Sequence, residues 1–132
     1  MRLMKFFTLL CALLLPVLSL LADPVTAPRN VTISEAEKLI KEDPKIVVLD
    51  VRTPEEFKAG HIKGAKNIDF NGDGFEKQIA ALDKSKTYVV HCAAGGRSSQ
   101  ACKVIEQVKI PSVVHMKEGF SAWEKAGKPV EK

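Results

Sequence analysis

Three apolar runs along the chain have strand length and are rich in β-branched residues: residues 45–50 (KIVVLD), 87–91 (TYVVH) and 112–115 (SVVH). Each is too short for a helix and apolar nearly throughout, as strands buried on both faces are. A weaker candidate strand covers residues 65–68. Between these runs the period changes to that of helices. Ser34-Glu35-Ala36-Glu37 fits a capping box ahead of Leu39 and Ile40, and Thr53-Pro54-Glu55-Glu56 fits a second, with proline at the first helical position and Gly60 as the stop. Residues 74–82 place Phe75, Ile79 and Leu82 on one face. A helix from about Ser98 carries Ala101, Val104, Ile105 and Val108, and a last one spans 120–125 before Gly127. Strands alternating with helices predict an α/β fold whose parallel sheet is covered on both faces. Ligands of such sheets bind at the carboxyl ends of the strands, here the loops after Asp50 and His91.

The chain begins differently. Arg2 and Lys5 precede 16 uncharged residues, 6–21, interrupted by Pro16. This reads as a signal peptide over residues 1–22, cleaved after Ala22 or, as the alternative, after Ala27. The run is shorter than a usual membrane span, so an uncleaved anchor is the lesser reading and no stable membrane association is expected after cleavage. Cys11 would leave with the signal. Residues 23–30, with Pro24 and Pro28, read as an extended tether, and residues 31–132 as one domain. Localisation is expected to be periplasmic.

Charge changes the picture little. The formal net charge is +4, but removing Arg2 and Lys5 lowers it to +2, and the lysines are spread along the chain. No nucleic-acid partner is expected. No spacing of His, Cys and Asp supports a metal, and no cofactor is expected. The mature chain keeps Cys92 and Cys102, too few for a disulfide scaffold.

Cys92 ends a strand and opens the loop Cys92-Ala93-Ala94-Gly95-Gly96-Arg97-Ser98, after which a helix starts. Glycines at 95 and 96 allow positive φ and inward-turned N–H groups, which form an anion-binding nest. The helix N-terminus adds its dipole and free amides, and Arg97 adds a fixed charge. The favoured anion is the sulfur itself. A free thiol of pKa about 8.5 is only about 3% ionised at pH 7, and a fall to roughly 6.5 needs about 2.7 kcal/mol of differential stabilisation. No general base is required, and His91 is a poor one, since neighbouring strand side chains point to opposite faces.

These residues resemble the rhodanese family of sulfurtransferases, in particular its small secreted single-domain members. The loop fits Cys-x-x-Gly-x-Arg. Val48-Leu49-Asp50-Val51-Arg52, Glu56-Phe57 and the run from Gly60-His61 to Asn67-Ile68 fit the entry motif, and Glu118-Gly119-Phe120-Ser121-Ala122-Trp123 with Gly127-Lys128-Pro129-Val130 the terminal one. The resemblance implies a rhodanese-like three-layer α/β/α fold with a central, mostly parallel five-stranded sheet. It implies Cys92 as the catalytic residue, with Ala93, Ala94, Gly95, Gly96, Arg97 and Ser98 binding the substrate. Asp50 and Arg52 would support the loop as an ion pair.

The implied reaction moves a sulfane sulfur from thiosulfate to cyanide or a thiol through a Cys92 persulfide, in a monomer. Related phosphatases and arsenate reductases use Cys-x5-Arg. The four residues between Cys92 and Arg97 close a tighter ring, suited to one sulfur atom. Two alternatives stay open: a persulfide carrier or protein-docking module, and a phosphatase or arsenate reductase. Ala93 stands where some members have a basic residue, so weak thiosulfate binding is expected. Glu118 stands where the terminal motif often has glycine, so an altered turn is expected at the rim. His61 reads as structural, His115 as rim or surface, Cys102 as a packed core-edge thiol and Trp123 as core.

Overall fold

The computed structural model describes residues 25–132. The segment read as a signal peptide and Cys11 lie outside the described residues. Among the described residues no helix is long and apolar enough to cross a membrane.

The main sheet contains β1 (Arg29–Val31), β2 (Ile46–Asp50), β4 (Lys66–Asn67), β5 (Thr87–His91) and β6 (Val113–Met116) in the order β1-β6-β5-β2-β4. Every pairing in it is parallel. A separate antiparallel pair, β3 (His61–Ile62) with β7 (Val130–Glu131), ties the end of the chain to the segment after Gly60. Helices α1 (Ile33–Glu42), α2 (Pro54–Ala59), α3 (Phe75–Ala80), α4 (Gly96–Gln107) and α5 (Gly119–Lys125) complete the fold.

Strand alternation divides the apolar side chains between two cores. Leu49, Val90 and Val113 pack with Phe75 and Ile79 of α3 and with Ala101 and Ile105 of α4. Val48, Val89 and Val114 pack on the other face with Ala36 of α1 and with Phe120 and Trp123 of α5. The result is the expected three-layer α/β/α arrangement, with β5 at the centre of the sheet between β6 and β2.

Several boundaries differ from expectation for local reasons. The first helix is capped by Thr32, whose Oγ1 accepts from the Glu35 amide (3.1 Å) while the Glu35 carboxylate accepts from the Thr32 amide (2.8 Å). Starting at Thr32 instead of Ser34 carries Ile33 into the helix and buries it with Ala36. The second capping box forms as expected, between Thr53 and Glu56. Arg29 and Asn30, read as part of a tether, pair in parallel with Val114 and His115, in a first strand not expected from the sequence. The fourth helix starts at Gly96, two residues before expectation. That shift matters, because it makes Ser98 the third residue of α4, in the turn whose amides have no partner inside the helix.

Candidate active site

The loop after β5 is fixed from outside. The amides of Phe120 and Ser121, at the start of α5, donate to the carbonyls of Cys92 (2.8 Å) and Ala93 (3.1 Å). A trans peptide points its N–H away from its carbonyl, so anchoring the Ala93 carbonyl outward turns the Ala94 amide inward. Close packing keeps the arrangement in place. Gly119, at φ +77°, presses its backbone against the Ala93 carbonyl, and Gly95, at φ +101°, would put a Cβ 2.5 Å from the Lys117 carbonyl oxygen. Only the first of the two loop glycines needs its freedom. Gly96 has an ordinary φ, and a Cβ there would meet nothing within 4 Å.

Cys92 Sγ accepts from the Gly95 amide (3.1 Å) and the Ser98 hydroxyl (3.3 Å). Burial pushes its pKa up. Hydrogen bonds from the Ser98 hydroxyl and from the amides of Ser98, Ala94 and Gly95 outweigh that, and the thiol lies below its ordinary value. The sulfur thus takes the place of a capping side chain at the N-terminus of α4, where the helix dipole also favours an anion. Cys92 is only 1% exposed, so a reacting atom must enter through the mouth of the loop.

Arg97 is held by Glu56, read from the sequence as a helix cap and a motif residue but not as a site residue. Its Nη1 and Nη2 donate to the two oxygens of Glu56, at 2.7 and 3.0 Å, a bidentate pair linking the loop to the first turn of α2. The guanidinium holds the Glu56 carboxyl down to about 2. Asp50 and Arg52, both buried, form a closed pair with contacts down to 2.7 Å. Arg52 also donates to the Gly60 carbonyl (2.8 Å) and lies over the Phe120 ring at 4.0 Å. The pair braces the loop after β2 against α2 and α5.

Of the three histidines, only His115 departs from expectation. His61 Nδ1–H donates to the Phe57 carbonyl (2.8 Å) and the ring stacks on that of Phe57, the structural role expected of it. His91 is fully buried, with Nδ1 at the Cys92 carbonyl (3.0 Å) and Nε2 without a hydrogen-bond partner. His115 is 5% exposed, so its placement at the rim or surface is corrected. It lies on the Val113 face of β6, where Nε2 meets the Ser98 hydroxyl (2.7 Å) and Nδ1 meets Asn30 Oδ1 (3.1 Å). Strand alternation from Val113 would have found it, since that face looks at α4. Cys102 packs in the core beside α3, and burial pushes its thiol up to about 12, so it stays protonated and unreactive. Glu118 has helical backbone angles that need no glycine, and its carboxylate accepts from the Ile33 amide (3.3 Å), capping α1.

The sequence profile of the rhodanese-like domain matches residues 32–126, and the chain belongs to that family. The chain is 31% identical over 121 residues to "Thiosulfate sulfurtransferase 16, chloroplastic" of Arabidopsis thaliana, covering 84% of this chain and 99% of that one. It is 34% identical over 101 residues to the putative sulfurtransferase YtwF of Bacillus subtilis, covering 76% and 95%. Among solved structures, a rhodanese-related protein from Thermoplasma volcanium superposes with a TM-score of 0.69 at 30% identity, covering 78% of this chain and 97% of that one. The family and its sulfurtransferase-named relatives support transferase activity on sulfur.

Proposed function

We propose that the protein is a thiosulfate sulfurtransferase working through a Cys92 persulfide, in the periplasm after removal of residues 1–22. The observation that carries this reading is that Cys92 Sγ accepts from the Gly95 amide and the Ser98 hydroxyl at the N-terminus of α4, inside a ring closed by only four residues between Cys92 and Arg97. The thiolate attacks the outer sulfur of thiosulfate. A bond forms between the two sulfurs, the sulfur–sulfur bond of thiosulfate breaks, and sulfite leaves with the electron pair. The inward amides then face the terminal sulfur of the persulfide. Cyanide or a thiolate attacks that sulfur, and Cys92 departs as the thiolate, completing a double displacement. With Arg97 held by Glu56, its part is to lock the loop, and its charge is largely offset for steering an anion.

The test is thiocyanate formation from thiosulfate and cyanide by the reduced protein. Turnover that vanishes in Cys92→Ser supports the reading. No thiocyanate, but turnover of arsenate or an aryl phosphate, would replace it with the oxyanion chemistry of longer loops. A stable persulfide that passes its sulfur only to another protein would make the chain a carrier. The address is checked by the N-terminal residue of protein recovered from a periplasmic extract. Ala22 or Ala27 immediately upstream agrees with it, and recovery of the whole chain in the cytoplasm contradicts it.

A further inference from the structure

The reaction above leaves His115 without a part, yet a line of polar contacts runs from the buried Cys92 through the buried Ser98 and His115 to Asn30 at the surface. Its hydrogen-bond directions follow from its far end. Asn30 Oδ1 can only accept, so His115 Nδ1 carries the hydrogen it receives. In the neutral ring Nε2 is then bare and accepts from the Ser98 hydroxyl, at 2.7 Å the shorter of that hydroxyl's two contacts. With its one hydrogen pointed at Nε2, Ser98 Oγ turns its remaining lone pairs to Cys92 Sγ, placed to receive the thiol hydrogen, and its donation to the sulfur belongs to the thiolate state.

We propose that the Cys92 thiol proton leaves through Ser98 to His115, making His115 the internal base of the site. The S–H bond of Cys92 breaks as Ser98 Oγ takes that proton, and the Ser98 O–H bond breaks as His115 Nε2 takes the other. A thiolate and an imidazolium result, with no change in total charge. Every contact stays satisfied afterwards: Ser98 donates to the thiolate, Nε2–H donates to Ser98 Oγ, and Nδ1–H still donates to Asn30. The register of the sheet builds this line, because Asn30 sits opposite His115 in the β1–β6 pair and His115 meets Ser98 in the first turn of α4. The titratable and charged groups facing His115 are Lys117 just past the end of β6, His91 on β5, and Cys92 across Ser98; β1 presents the uncharged Asn30. Burial, then Lys117 and His91, hold the His115 pKa below the ordinary histidine value, so the ring starts neutral and its imidazolium is sustained only by the thiolate formed in the same step.

The inference rests on Cys92 being the working nucleophile. Its test needs no sulfur donor, so it stands apart from any failure to turn over thiosulfate. Two midpoints are measured in the purified chain: Cys92 ionisation from the pH dependence of its alkylation, and His115 protonation from its ring NMR signals. Thermodynamic coupling is reciprocal. His115→Phe is expected to raise the Cys92 midpoint by about one pH unit, the lower end of the effect of an adjacent opposite charge. Cys92→Ala is expected to lower the His115 midpoint by the same amount, and Ser98→Ala to remove most of both shifts. If the buried substitutions prevent folding, the His115 midpoint before and after alkylation of Cys92 in the unmutated chain carries the test, and it is expected to fall. Midpoints that do not move, or a coupling that survives Ser98→Ala, would overturn the relay.

Discussion

Arg97 could serve the loop by its charge or by its shape, and the two roles make different demands. Steering a dianion needs only a positive charge, which lysine also supplies. Locking the loop to α2 needs the planar fork that meets both oxygens of Glu56, at 2.7 and 3.0 Å. The geometry favours the lock. Arg97→Lys is therefore expected to lower kcat/KM for thiosulfate nearly as far as Arg97→Ala, by about tenfold or more, since each 1.4 kcal/mol lost is a factor of ten. Retention of most activity in Arg97→Lys, with a steep loss at high ionic strength, would instead favour steering. Cys102 offers a second check at this scale. With its thiol pushed up to about 12, it is expected to alkylate far more slowly than Cys92 at neutral pH, as peptide mapping after brief treatment would show.

At the scale of elements, the two loop glycines separate cleanly. Gly95→Ala forces a side chain into the left-handed region and against the Lys117 carbonyl, and is expected to cost more than about 1–2 kcal/mol and to lower Tm accordingly. Gly96→Ala fills open space at a helical position, and is expected to hold or raise stability by up to about 1 kcal/mol. Thermal unfolding of the two variants settles both. The same locality explains what could be read from the chain. β2, β5, α2 and the Cys92 loop are spelled out by contiguous residues, and their boundaries fall where the pattern puts them or within two residues. β1, β3 and β7 are two or three residues long, and no periodicity can reveal them. The Glu56–Arg97 pair joins residues 41 apart and the His115–Asn30 contact residues 85 apart, so both belong to topology. The face of His115 could still have been inferred, because it shares the alternation of Val113.

Across the whole molecule, the central sheet buries a histidine it cannot easily charge. Burial holds the His91 pKa below 6.5, despite the opposing pull of Asp50. The unfolded chain therefore takes up a proton that the folded chain refuses, so stability is full above about pH 6.5 and falls as pH drops below it. Tm measured between about pH 8 and 5 is expected to decline with acid, and less steeply in His91→Gln; parallel curves for the two proteins would assign the decline to other groups.

All of this positions one sulfur atom where a second can be held. Intact mass of the reduced protein, taken before and after brief exposure to thiosulfate, reads that directly. A gain of one sulfur atom, absent in Cys92→Ser and reversed by cyanide, is the predicted result. An unchanged mass, or a gain that persists in Cys92→Ser, would contradict the assignment of Cys92 as the sulfur carrier.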